Sequence, residues 1–297
     1  MKKSIVFLFC LFPVLLIAQN QLYPVAIKTE HRSNGSVAIK SFNEDFCDYY
    51  VIVDFPEIAG YSMPEPISYK NTVGIGSQNL FSLKKVANYN FIYKHRWTYR
   101  YYRGDLNAKI NADYQYALPV KQGDKIQMRS RSSSRYRVEL IFSLKYAGDT
   151  VYACRSGRVC NNEFERFNHI KDKITVYHAD RSFSEYGGYT YPIVCPGDFI
   201  KIGDPIAVIK ADEKKNKLLY FSNYFLDKNK VTNPDEKRVY EYFVPVFRTA
   251  NAGSIKLQER TTYVAEITDE MLIQELSDRE LKKIKKKRKN NLTDLMP

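Results

Sequence analysis

The residues able to hold a metal or serve as a nucleophile are few. The 297-residue chain has four His and five Cys, too few for a large zinc-cluster or iron–sulfur architecture. A catalytic zinc needs about three protein ligands and one open position for water. His169 and His178 are the candidates in the C-terminal half. His169 sits in a polar connecting segment, Phe167-Asn168-His169-Ile170-Lys171, and His178 follows an apolar run with Asp180 two residues on. Two such His, with no acidic third ligand at matched spacing, do not make a zinc site. His178 is expected in a hydrogen-bonded structural role and Asp180 in a turn. A Cys nucleophile needs a paired base, and neither Cys154 nor Cys195 has a His near it in sequence.

The cysteines are read with the compartment. Residues 1–18, MKKSIVFLFCLFPVLLIA, carry Lys2 and Lys3, then an apolar stretch, then the small residue Ala18. That is the pattern of a secretory signal peptide. The apolar run is shorter than the roughly 20 residues of a spanning helix, and Pro13 interrupts it. Leu8-Phe9 stand before Cys10 where a lipid-attachment site wants small residues. Export to the periplasm or the exterior is therefore expected. Cys47, Cys154, Cys160 and Cys195 remain, and four Cys allow three pairings. Read as a two-residue hairpin turn, Ser156-Gly157 would put Cys154 and Cys160 on opposite faces of a ribbon. Buried free thiols are the alternative.

Elements that could position such groups are mostly strands. Tyr49 to Phe55 is one, closed by Pro56. Phe91 to Tyr102 alternates, with Phe91, Tyr93, His95, Trp97, Tyr99 and Tyr101 on one face and a basic set on the other. Arg103-Gly104-Asp105 breaks that strand and spells a tripeptide too short to mean adhesion. Residues 19–117 read as an N-terminal β-sandwich-like domain. Residues 118–135, polar and rich in Ser and Arg, read as a connector. Residues 136–265 carry short strands between turn signals. Residues 266–297 read as a helical basic tail, with Ser277 and Glu280 at capping-box spacing.

Residues 148–159 (GDTVYACRSGRV), 177–189 (YHADRSFSEYGGY) and 194–207 (VCPGDFIKIGDPIA) form an ordered set. Together they resemble the hairpin, strand pair and closing turn of M23 (LytM-type) zinc endopeptidases, which cleave peptide cross-links of bacterial cell walls. Asn79 to Lys84 and Tyr101 to Gly104 also look like the leader domain of secreted M23-like proteins. The resemblance spans most of residues 45–260 and implies an M23-like antiparallel β-sheet core.

Carried over by motif, the family's Asp ligand falls on Phe142, its Tyr-x-His histidine on Gly188, and its His-x-His pair on Leu218 and Tyr220. The upstream His would lie between Ser130 and Val138, where there is none. His178 matches a His that recurs in the family without being a metal ligand, and His178 and Tyr186 are the candidates to line the groove. Zinc is therefore expected to be absent. Carbon where ligands would stand is self-consistent, because losing the cation removes the reason to bury Asp and His.

The expected function is that of a secreted, non-catalytic M23 peptidase-like protein. Its groove would bind cell-wall peptides or a partner envelope protein, as degenerate LytM-type domains that regulate wall hydrolases do. The alternatives are an active M23-type zinc metalloendopeptidase acting on peptidoglycan cross-links, and a structural cell-envelope interaction protein. The formal charge of +13, from 46 basic and 33 acidic residues, invites a nucleic-acid reading. Export argues against it. About half of that charge lies in residues 277–290, suited to anionic envelope polymers at low ionic strength.

Overall fold

The computed structural model describes residues 23–63, 68–87, 92–134, 137–146, 148–162, 173–188, 190–209, 217–233, 235–274, 276 and 282. The expected signal peptide, His169 and, apart from Lys282, the tail 277–297 lie outside the described residues. No helix among the described residues is long and apolar enough to cross a membrane. The chain is mostly β and almost wholly antiparallel, with short helices at Lys228–Thr232 and Asp269–Ile273.

The N-terminal part has a four-stranded sheet, Val25–His31, Val37–Asn43, Gly76–Lys85 and Tyr61–Ser62. A three-stranded sheet, Ser68–Val73, Tyr49–Ala59 and Lys94–Arg103, accompanies it. They share a core that includes Ile39, Val51, Val53, Phe55 and Leu83. In strand Lys94–Arg103 the alternation holds. Trp97, Tyr99 and Tyr101 pack against the core while Arg96, Thr98 and Arg100 are exposed. Pro56 does not close its strand. Pairing with Lys94–Arg103 shifts register between Asp54 and Glu57 and then resumes to Ala59. A bulge is where a strand tolerates a residue without an N–H.

The second part is built on a nine-stranded sheet. Its main path runs Phe199–Ile200, Gly157–Val159, Ile174–Tyr177, Phe183–Gly188, Leu218–Leu226, Arg137–Ser143, Lys125–Ser134 and Thr261–Val264. Tyr240–Phe243 pairs with the end of Leu218–Leu226. The expected connector 118–135 is thus corrected, since Lys125–Ser134 is a paired strand inside this sheet. Ile126 and Met128 bury themselves at its start, and the Ser/Arg half lies on a hairpin with exposed faces. Local polarity hid the strand because only its first residues reach the core. The boundary at 117 also moves, because Tyr114, Tyr116 and Leu118 belong to the second core.

The expected hairpin at Ser156-Gly157 is absent. Thr150–Tyr152 pairs with Pro205–Ile209 in a separate three-stranded sheet, and Gly157–Val159 joins the main sheet. The turn between them is a crossing from one sheet to another. Cys154 and Cys160 consequently enter different cores.

Candidate functional site

Three neighbouring strands carry the positions that motif matching assigns to metal chemistry. Arg137–Ser143 pairs with Leu218–Leu226 through Ile141–Tyr220, Phe142–Leu219 and Ser143–Leu218. Phe183–Gly188 pairs with the same strand through Glu185–Ser222, Gly187–Tyr220 and Gly188–Leu219. Directly paired residues share a face of the sheet. Leu219, Phe221, Phe142 and Tyr186 therefore face the inner core, where all four are buried. Leu218, Tyr220, Ser222, Tyr224, Glu185, Glu139 and Ile141 take the other face.

Of the residues expected to mark the lost site, the structure brings Gly188, Leu218 and Tyr220 together and separates Phe142. Phe142 packs edge-on to Phe221 and Phe247 in the inner core. The residue of that strand that shares a face with Tyr220 is Ile141, which pairs with it directly. Gly188 has φ +117°, and a Cβ added there would lie 2.6 Å from the Leu218 carbonyl oxygen and 3.2 Å from the Tyr220 ring. A histidine does not fit on this backbone. Phe142, Gly188, Leu218 and Tyr220 provide no imidazole and no carboxylate, so the donors present do not suit a zinc ion.

His178 and Tyr186, the candidates to line a groove, are both buried. His178 is buried, with Nδ1 2.7 Å from the Ser156 carbonyl and Nε2 2.7 Å from Ser184 Oγ, itself 2.6 Å from Asn223 Oδ1. The carbonyl only accepts, so Nδ1 carries a proton toward it, and the Ser184 hydroxyl donates to Asn223 Oδ1. Burial, and then the nearby Arg155 guanidinium, push the His178 pKa down to about 3. Buried and held at both nitrogens, the imidazole joins the Ser156 carbonyl to Ser184. The Tyr186 hydroxyl accepts from the Cys154 backbone N–H at 2.8 Å within the core. Asp180 closes its turn through the Ser182 N–H and hydroxyl and pairs with the buried Arg155 at 2.8 Å.

What the outer face does form is a cleft of about 360 Å³ against the N-terminal sheets. Its walls include Tyr49, Tyr101, Tyr102, Tyr224, Tyr240 and Tyr242. Its charged residues are Arg103, Arg137, Lys173 and Glu185. Glu185 is buried and held by Lys173 Nζ at 2.8 Å and Arg137 Nη2 at 3.0 Å. Burial alone would raise its pKa, but Lys173 and then Arg137 outweigh that and the net shift is downward. Arg137 also meets Glu139 at 2.9 Å. The Arg137 Nε is buried without a partner.

Sequence reading missed this cleft. Its charged residues lie on three separate strands and a loop end, and nothing in their spacing ties them together. One signal was present, Glu185 beside Tyr186 in an otherwise apolar strand. The Arg103-Gly104-Asp105 tripeptide is buried rather than presented. Gly104, at φ +113°, turns the chain where a Cβ would crowd Phe183 and Leu226. Asp105 pairs with Arg181 at 2.8 Å.

No family model matches the chain, and no curated protein matches it. Among solved structures, Helicobacter pylori Csd3 from an orthorhombic crystal aligns at 13% identity and a TM-score of 0.27. That alignment covers 91% of this chain and 84% of Csd3. A zinc containing peptidase from Vibrio cholerae aligns at 11% identity and a TM-score of 0.26, covering 66% of this chain and 81% of the peptidase. Likenesses this loose carry neither fold nor function across.

Proposed function

We propose that this protein is a non-catalytic, exported M23 peptidase-like protein that binds cell-wall peptides or a partner envelope protein. The observation that carries the reading is that none of the motif-matched positions, Phe142, Gly188, Leu218 and Tyr220, offers an imidazole or a carboxylate. Tyr220 shares a sheet face with Ile141, and Gly188 sits on a backbone that excludes an imidazole. The three ordered motifs supply the family, and fold kinship alone argues weakly for activity. The neighbouring cleft offers aromatic walls and both signs of charge, a combination suited to a short peptide bearing amine and carboxylate groups. The basic tail adds attraction to anionic envelope polymers that salt would screen.

The test is incubation of the purified protein with cross-linked cell-wall fragments. Retention on the insoluble wall without release of new amines, and no stoichiometric zinc, supports the reading. Stoichiometric zinc together with released amines would establish the peptidase instead. Deleting residues 277–297 is expected to weaken wall retention at low salt and to change little at high salt.

A further inference from the structure

Beneath the tyrosine cleft lies a cluster that the reading above does not use. Asp45, Cys47 and Cys160 bring one carboxylate oxygen and two sulfurs within 4.8 Å of one another, all buried. Cys47 precedes strand Tyr49–Ala59 of the N-terminal part. Cys160 follows strand Gly157–Val159 of the main sheet. Both sulfurs belong to the shared core in which Phe183 and Tyr224 also pack.

Two chemistries suit two thiols beside an acid, a metal ion and a disulfide, and the hydrogen bonds separate them. Asp45 Oδ1 accepts from the backbone N–H groups of Phe46 and Asn161, both at 2.7 Å. Asp45 Oδ2 accepts from the Tyr49 hydroxyl at 2.7 Å, from Arg103 Nη2 at 2.9 Å and from the Cys47 thiol at 3.5 Å. A carboxylate has about four lone-pair sites, so a metal bond at Oδ2 would compete with the Tyr49 hydroxyl and the Arg103 guanidinium already there. The sulfurs carry no such obligation, because a disulfide would remove the weak contact from the Cys47 thiol to Asp45 and replace the thiol–thiol contact of Cys47 and Cys160 with the bond itself. The other cysteines are placed elsewhere. Cys154 is in the inner core and Cys195 is exposed.

We propose that Cys47 and Cys160 close a disulfide that fastens the N-terminal sheets to the main sheet under the cleft. One thiolate attacks an oxidising disulfide, either a small disulfide or that of a dithiol oxidase, and releases one thiol. The second Cys then displaces the other, so two thiol protons leave and the oxidant is reduced to two thiols. With both sulfurs sealed in the folded chain, closure belongs to folding and precedes final docking. The bond spans about 110 residues, a loop length at which cross-linking restricts the unfolded chain strongly.

The experiment reduces and unfolds the full chain, refolds it in a glutathione redox buffer, and blocks remaining thiols with N-ethylmaleimide in denaturant. Peptide mapping should find Cys47 linked to Cys160, with Cys154 and Cys195 blocked. The linked chain, before blocking, should be lighter than the reduced chain by about 2 Da, two hydrogen atoms. The Cys160→Ala variant should leave Cys47 blocked. The same map on protein isolated natively under N-ethylmaleimide covers the case of poor refolding. Cys47 and Cys160 both blocked in each preparation, or Cys47 linked to another cysteine, overturns the proposal. So does stoichiometric zinc that is lost in both Cys47→Ala and Cys160→Ala.

Discussion

Asp45 and Arg103 form a buried ion pair at 2.9 Å and together grip Asn161 from both sides. The Asp45 carboxylate accepts the Asn161 N–H at 2.7 Å, and Arg103 Nη2 donates to the Asn161 carbonyl at 2.9 Å. One residue of the second part is thus clamped by two side chains of the first. This clamp and the Phe183–Tyr224 stack, with ring centroids 5.1 Å apart, position the cleft.

Removing one partner of a buried pair leaves the other uncompensated, at about 3–5 kcal/mol. Arg103→Ala should therefore lower the urea midpoint strongly. Asp45→Ala should do the same. A double variant should lose less than the sum of the two. Additive losses in that cycle would show that the pair is not coupled.

His178 gives the protein an acid-sensitive core. Its folded pKa, pushed down to about 3, lies below the unfolded value near 6.5. Between those limits the unfolded chain binds the extra proton, so stability falls as pH drops through about 6.5, by up to about 1.4 kcal/mol per pH unit. Urea midpoints measured from pH 7 to pH 4 should show this slope. His178→Asn, which keeps hydrogen-bonding atoms but does not titrate, should flatten it.

Glu185 acts in a lower window. Its folded pKa is depressed by Lys173 and Arg137 against the cost of burial. Its contribution is present above the unfolded value of about 4.3 and is lost as pH falls toward the folded one. Glu185→Gln should lower stability at pH 7 and remove the additional acid loss seen below pH ~4.5. The same variant should weaken wall-peptide retention, because it unbalances the charges of the cleft. Unchanged retention would move the binding surface elsewhere.

Placing histidines at the motif-matched positions should fail to build a zinc site. Gly188→His meets a positive φ and a carbonyl 2.6 Å from the new Cβ, a strain of roughly 1–3 kcal/mol. The triple variant Gly188→His, Leu218→His, Tyr220→His should melt earlier than the parent and bind no stoichiometric zinc. Tight zinc binding with an unchanged melting temperature would mean that the backbone can reopen the site.

The sequence by itself determined the β class, the aromatic face of Lys94–Arg103 and the poverty in histidine at the motif positions. These are local properties, because side chains alternate with period two whatever the partner strand. It did not determine phase between strands. Phe142 was matched by counting along one segment, yet pairing set Ile141 beside Tyr220 and turned Phe142 inward, because register is fixed by tertiary contacts. Composition marked residues 118–135 as a connector, whereas a few buried side chains on neighbouring strands made most of it a strand. The clamp on Asn161, the approach of Cys47 to Cys160 and the cleft around Glu185 join residues more than 50 positions apart. Only the folded chain brings them together, since burial makes each charge seek a partner wherever the sheets deliver one.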